Sequence, residues 1–253
     1  PGAYADGYFR GRVSSNALVR FVGSWSRASR LAVIRGATAI SKQLRAAVAN
    51  DQAAAMEKAA HIGETPEELS QLSPLWELSE KKTFLTVYGQ VGFRKVPECD
   101  KVGCPDGVDP GAWGWSQVAN LGEVWINNSA TYNGSSAELN TVHELGHGLD
   151  QLTGGVANAN LSSAHIGYID ATGRIISVAG GGWPGGYERR TAGFSTRGMP
   201  WQQHTEATSS EEFADMFLGW TYNHFAGDQA GTARYRWMSA HMSDWVALAV
   251  SRR

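Results

Sequence analysis

One stretch constrains this chain more than any other: Ser135-Ser-Ala-Glu-Leu-Asn-Thr-Val-His-Glu-Leu-Gly-His-Gly-Leu-Asp150. Leu139, Val142, Leu149 and Leu152 recur at helical spacing and supply one apolar face. Ser135 and Glu138 stand at S-x-x-E spacing, the pattern of a capping box at a helix start. Gly154 and Gly155 follow where a helix C-cap belongs. The pattern predicts a helix over about 136–152. His143 and His147 are then one turn apart on the same face, and Glu144 projects beside that face. Two imidazoles so placed can grip one zinc ion, and the carboxylate can reach a zinc-activated water without being a ligand. The competing reading is a pair of solvated or packed histidines on an ordinary helix. The cap, the apolar face and a strand-like segment upstream favour zinc.

A catalytic zinc needs three protein ligands and an open position. A metzincin would place Gly at 150 and His at 153, where this chain has Asp150 and Thr153. The thermolysin-like N-E-x-x-S/D signature is absent downstream. A better source is Ser209-Ser-Glu-Glu-Phe-Ala-Asp-Met-Phe217, which predicts a helix over about 209–224. Thr208 or Ser209 can cap it, and Ser209 with Glu212 makes a second capping-box spacing. Phe213, Phe217 and Trp220 form its apolar stripe. Glu211 and Asp215 share another face, so Glu211 can bind zinc while Asp215 orients a ligating histidine. An acidic first turn also suits the helix dipole with no metal present. Glu188 and Glu206 are rival ligands, with Arg189 and Arg190 favouring a surface salt bridge for Glu188. Asp170 would suit a site with Asp as third ligand but reads better as a hairpin end. Asp150 reads as a helix-end hydrogen-bonding residue. Spacing alone leaves the third ligand open.

The two segments His143-Glu-Leu-Gly-His-Gly-Leu-Asp150 and Glu211-Glu-Phe-Ala-Asp-Met-Phe217 resemble the catalytic domain of anthrax lethal factor and its secreted relatives, the Pro-Pro endopeptidases among them. These are zincin metallopeptidases of the gluzincin type. The resemblance covers roughly residues 120–225 and is not evident in the N-terminal third. It implies a zincin-like α+β fold: a small twisted sheet, an active-site helix and a mostly helical C-terminal subdomain. It implies one catalytic Zn2+ held by His143, His147 and Glu211, with Glu144 as general base. Asp215 falls where the family has Glu. The family places a Tyr seven residues before the ligand Glu to stabilise the oxyanion, and here that position is His204. An imidazole N–H can donate in the same way, with Tyr187 and Tyr222 as alternatives. The implied activity is zinc-dependent hydrolysis of peptide bonds in a protein or peptide substrate.

The rest of the chain limits the alternatives. Lys and Arg total 22 against 24 Asp and Glu, so no basic excess exists to displace phosphate counterions or bind an acidic membrane surface. No apolar run is long enough to span a bilayer. Residues 31–61 are Ala-rich and predict one or two helices. Thr65-Pro66 reads as a helix start, and Lys82–Tyr88 as a strand. Residues 97–120 read as a loop, and Gly122–Asn127 either as the edge strand along which an extended peptide would bind or as a plain core strand. Ile166–Asp170 and Arg174–Val178 read as a hairpin, 180–207 as Gly-rich and irregular, with the glycines of 180–186 either a mobile lip over the cleft or a structural loop, and 232–250 as a helix. Residues 1–65 then form a partly helical N-terminal extension to a catalytic domain at 66–253, unless 1–253 is one continuous domain. The missing leader and the pair Cys99 and Cys104, read as a disulfide, point to a secreted monomer. Among the 10 Trp, Trp220, Trp237 and Trp245 read as core, while Trp183 and Trp201 suit the cleft wall. Two other functions compete. One is a zincin-like zinc-binding protein without turnover, supported by the missing Tyr. The other is a metal-dependent amidase acting on cell-wall peptides.

Overall fold

Alanine and glycine at helical spacing shape the first long element, α1 (Arg27–Ile62). Ala32, Val33, Ala37, Ile40, Leu44 and Val48 line its buried side. The predicted Ala-rich segment is thus one continuous helix. The structure is a computed structural model and describes residues 14–15, 18–23, 25–62, 75–96, 116–120, 122–127, 134–164, 193–195, 201–203 and 209–253. The Thr65 helix start, the cysteine pair, the 166–178 hairpin and Trp183 lie outside the described residues.

The fold is α+β and mostly helical. Among the described residues the sheet has five strands: β1 (Ser14–Ser15), β2 (Val19–Val22), β3 (Val91–Val96), β4 (Ser116–Asn120) and β5 (Glu123–Asn127), in the order β1-β2-β3-β5-β4. The three central strands β2, β3 and β5 are parallel, and β1 and β4 close the two edges antiparallel. This corrects one expectation. The segment at 122–127 is an inner strand paired on both sides, the core reading rather than the edge one, and among the described strands the edge is β4. A chain reversal at Gly122, with φ 90, folds β4 back onto β5, so residues read as the end of a loop became the sheet's margin.

A second correction concerns Lys82–Tyr88. It is not a strand but most of helix α2 (Glu80–Tyr88). The Ser79 side chain accepts from the Lys82 N–H at the start, and Gly89 at φ 69 ends the helix. Phe84, Val87 and Tyr88 are buried at helical rather than alternating spacing. The unpredicted strand β3 follows two residues later.

The motif segment forms α3 (Gly134–Leu152), followed by α4 (Val156–Ala164). Gly154 and Gly155 sit at φ 70 and 81, and the Gly155 N–H donates to the Asp150 carbonyl, closing α3 as predicted. The predicted Ser135–Glu138 capping box is absent: α3 already begins at Gly134, which places Ser135 inside the helix, and the Glu138 carboxylate is engaged by Arg35 and Tyr222. The last two helices are α5 (Ser209–Thr221) and α6 (Gln229–Ser251). Phe213, Phe217 and Trp220 of α5 join Trp237 and Trp245 of α6 in the core. Residues of β2 and α1 belong to that same continuous core. No described helix is long and apolar enough to cross a membrane.

Candidate metal centre

The site forms where α5 lies across α3 at Gly146. A Cβ added at Gly146 would meet the Ala214 Cα at 3.0 Å and the Phe217 Cβ at 3.1 Å. Any larger side chain between the two histidines would push α5 away. Bare backbone at this point lets the first turn of α5 reach the histidine face of α3.

Four side chains converge there. His143 Nε2 lies 3.1 Å from Glu211 Oε2, His147 Nε2 lies 3.3 Å from the same oxygen, and the two Nε2 atoms are 3.2 Å apart. His143 Nδ1 faces Asp215 Oδ1 at 2.8 Å. Asp215 also accepts the Gln203 backbone N–H, at 3.0 and 3.1 Å from its two oxygens. His147 Nδ1 lies 3.3 Å from the Ser210 hydroxyl. Glu144 is buried at 4% exposure beside His143, and its charge helps to hold the His143 proton.

A tetrahedral zinc with ligands at about 2.0–2.1 Å places its ligand atoms about 3.3 Å apart. The triangle His143 Nε2, His147 Nε2, Glu211 Oε2 has edges of 3.1, 3.2 and 3.3 Å, so it matches one face of that tetrahedron. The donor chemistry agrees. Asp215 accepts from Nδ1–H of His143, so in the neutral ring Nε2 is the nitrogen turned toward the cluster to act as a ligand. Among the described residues, His143, His147 and Glu211 form the one group of three or more His, Cys, Asp or Glu side chains close enough to share an ion.

Electrostatics show how tightly these groups are coupled in the metal-free protein. Burial alone would push the His143 pKa down. Hydrogen bonds to the Asp215 and Glu211 carboxylates outweigh that and raise it to about 10. Burial alone would raise Glu211, but both histidines hold its carboxyl well below the usual carboxylate range. Burial raises the Asp150 pKa, and the Asn158 N–H, 2.8 Å from Oδ1, offsets part of that rise. Asp150 thus binds the start of α4, as the sequence suggested, and is not part of the triangle.

The other candidates fall elsewhere. The Tyr222 hydroxyl donates to Glu138 Oε1 at 2.9 Å, with Arg35 on the other oxygen of that carboxylate, so it is committed on the α1 side of α3. Trp201 is buried, stacked on His224 at 4.0 Å and edge-on to Tyr222 at 5.7 Å. Glu212, expected in a capping box, is buried and paired with Arg234 of α6. His204, Tyr187, Glu188, Glu206 and Asp170 lie outside the described residues. Sequence reasoning missed Ser210 and Gln203. Ser210 directly precedes Glu211 in a first helical turn, so its neighbour was a signal. Gln203 acts through its backbone, which carries none.

No protein-family model, no curated protein and no solved structure matches this chain.

Proposed function

We propose that this chain is a zinc-dependent endopeptidase with a zincin-like fold, in which His143, His147 and Glu211 hold the ion and Glu144 is the general base. The observation that carries this reading is the ligand triangle, with edges of 3.1–3.3 Å, built on a buried His-Glu-x-x-His helix. The central parallel strands, the antiparallel margin at β4 and the active-site helix are consistent with a zincin architecture. A zinc ion held there supplies Lewis acidity to the attacking water and to the scissile carbonyl.

The remaining chemistry belongs to the chain. Glu144 follows His143 directly, so its carboxylate projects beside the ligand face. It takes a proton from the attacking water and returns it to the departing amine. Asp215 keeps His143 oriented by accepting its Nδ1–H. β4 is the outer strand of the described sheet on this side, and its backbone is the one an extended peptide would pair with.

The test is a peptide library with metal analysis. The wild type should bind one zinc, cleave peptides, lose cleavage to a chelator and regain it with zinc. Glu144→Gln should keep the zinc and lose roughly 10²–10⁴ in turnover. Full activity in that variant would overturn the base assignment. A zinc-loaded wild type that cleaves nothing would make this a binding protein. Cleavage confined to cell-wall peptides would identify an amidase.

A further inference from the structure

The two histidines are held differently, and the difference points to a residue that no ligand motif includes. Each ring has both nitrogens engaged by α5. His143 has Asp215 Oδ1 at 2.8 Å on Nδ1 and Glu211 Oε2 at 3.1 Å on Nε2. His147 has Ser210 Oγ at 3.3 Å on Nδ1 and Glu211 Oε2 at 3.3 Å on Nε2. Three side chains of one helix therefore address all four ring nitrogens. For His143 the two partners are a turn apart on α5. For His147 they are consecutive residues, Ser210 and Glu211, in its first turn.

We propose that Ser210 is a positioning residue of the metal site, holding His147 in the tautomer that leaves Nε2 bare toward the ion. The inference rests on the zinc reading above. A neutral imidazole carries one N–H, and a ligating nitrogen must lack it, so the proton belongs on Nδ1 and needs an acceptor. His143 donates its Nδ1–H to a fully buried carboxylate. His147 is partly exposed, at 16%, and the neighbour of its Nδ1 is a hydroxyl, whose oxygen accepts from Nδ1–H. With Glu211 on the opposite nitrogen, that contact sets the plane of the ring as well as its tautomer. A Ser–His contact is weaker than Asp–His, so losing it should cost the lower end of what outer partners contribute to metal affinity.

The experiment compares wild type with Ser210→Thr, Ser210→Val and Ser210→Ala. Thr and Val have nearly the same shape and differ in the hydroxyl, so this pair isolates the hydrogen bond if the alanine variant folds poorly. Zinc affinity is read by competition with a chromophoric chelator at neutral pH, and the melting temperature of the metal-free protein is read alongside. Ser210→Thr should bind zinc within a few-fold of wild type. Ser210→Val and Ser210→Ala should bind about tenfold more weakly, with the metal-free melting temperature unchanged. Equal affinity in Thr and Val variants overturns the proposal. So does a fall in metal-free melting temperature that accounts for the loss, since that marks a packing role. A wild type that binds no zinc overturns the zinc reading itself and this inference with it. A zinc-binding wild type matched by Ser210→Val removes only the role of Ser210.

Discussion

At Gly36, α1 comes so close to α3 that an added Cβ would lie 2.9 Å from the Glu138 carbonyl oxygen and 3.1 Å from Thr141 Cγ2. At Gly146, α5 approaches the same helix so closely that an added Cβ would lie 3.0 Å from the Ala214 Cα. Both crossings use the same device, a missing side chain that lets two backbones approach. What gathers around them differs. Beside Gly36 stand Arg35, Glu138 and Tyr222, a partly exposed polar cluster that ties α1, α3 and the end of α5 together. Beside Gly146 stand the ligand triangle and its orienting partners. One close approach serves packing; the other sets the distances among His143, His147 and Glu211, on which the proposed zinc site depends.

Matched substitutions at the two glycines would test that division. Gly146→Val should show the largest effect. Overpacking costs about 1–3 kcal/mol, and displacement of α5 should also weaken zinc binding by at least about tenfold, as for lost outer partners. Calorimetric titration with zinc measures the second effect. A Gly146→Val protein with wild-type affinity would show that the crossing does not hold the site. Gly36→Val should lose a similar 1–3 kcal/mol, or roughly so, and the folded protein should keep its zinc affinity. Denaturant unfolding and the same titration check both parts.

The third prediction uses pH. In the metal-free protein, His143 holds its proton more firmly than an unfolded histidine does. That pairing stabilises the fold fully below about pH 6.5 and is lost as pH rises through about 10. Zinc must displace this proton, so affinity should rise about tenfold per pH unit through neutrality. Competition titrations at several pH values would read the slope, and a flat profile would contradict the assignment of His143 as a ligand.

The smallest effect is expected at Tyr222. Tyr222→Phe removes one hydrogen bond from the Gly36 side, at a cost of about 0.5–1.5 kcal/mol, and should leave peptide turnover unchanged. A large loss of kcat with stability intact would move Tyr222 into the chemistry and blur the contrast between the two crossings.

Much of this was legible in the chain because the informative signals were local. The apolar period of Leu139, Val142, Leu149 and Leu152 and the glycines at 154 and 155 belong to one helix and its end. The strand expected at Lys82–Tyr88 failed for a related reason. Thr, Val and Tyr favour strands, but the Ser79 cap and the Gly89 stop outweighed that preference once Phe84, Val87 and Tyr88 could bury one helical face. The edge position expected for 122–127 failed because pairing partners are not local. Nothing in Glu123–Asn127 shows that Ser116–Asn120 will fold back over it.

By itself, then, the sequence determined which residues could share a turn: His143 with His147, and Glu211 with Asp215. A residue and its partner four positions on meet through the rise of the helix, whatever the rest of the chain does. Only the tertiary structure decided that Glu211 should meet His143 across 68 residues and His147 across 64, that Asp215 should accept from His143, and that Ser210 should stand at His147. Those pairings depend on how closely α5 can approach α3. That approach was decided by the packing of bare backbone at Gly146 against Ala214 and Phe217, a contact between segments whose own periodicities make no reference to each other.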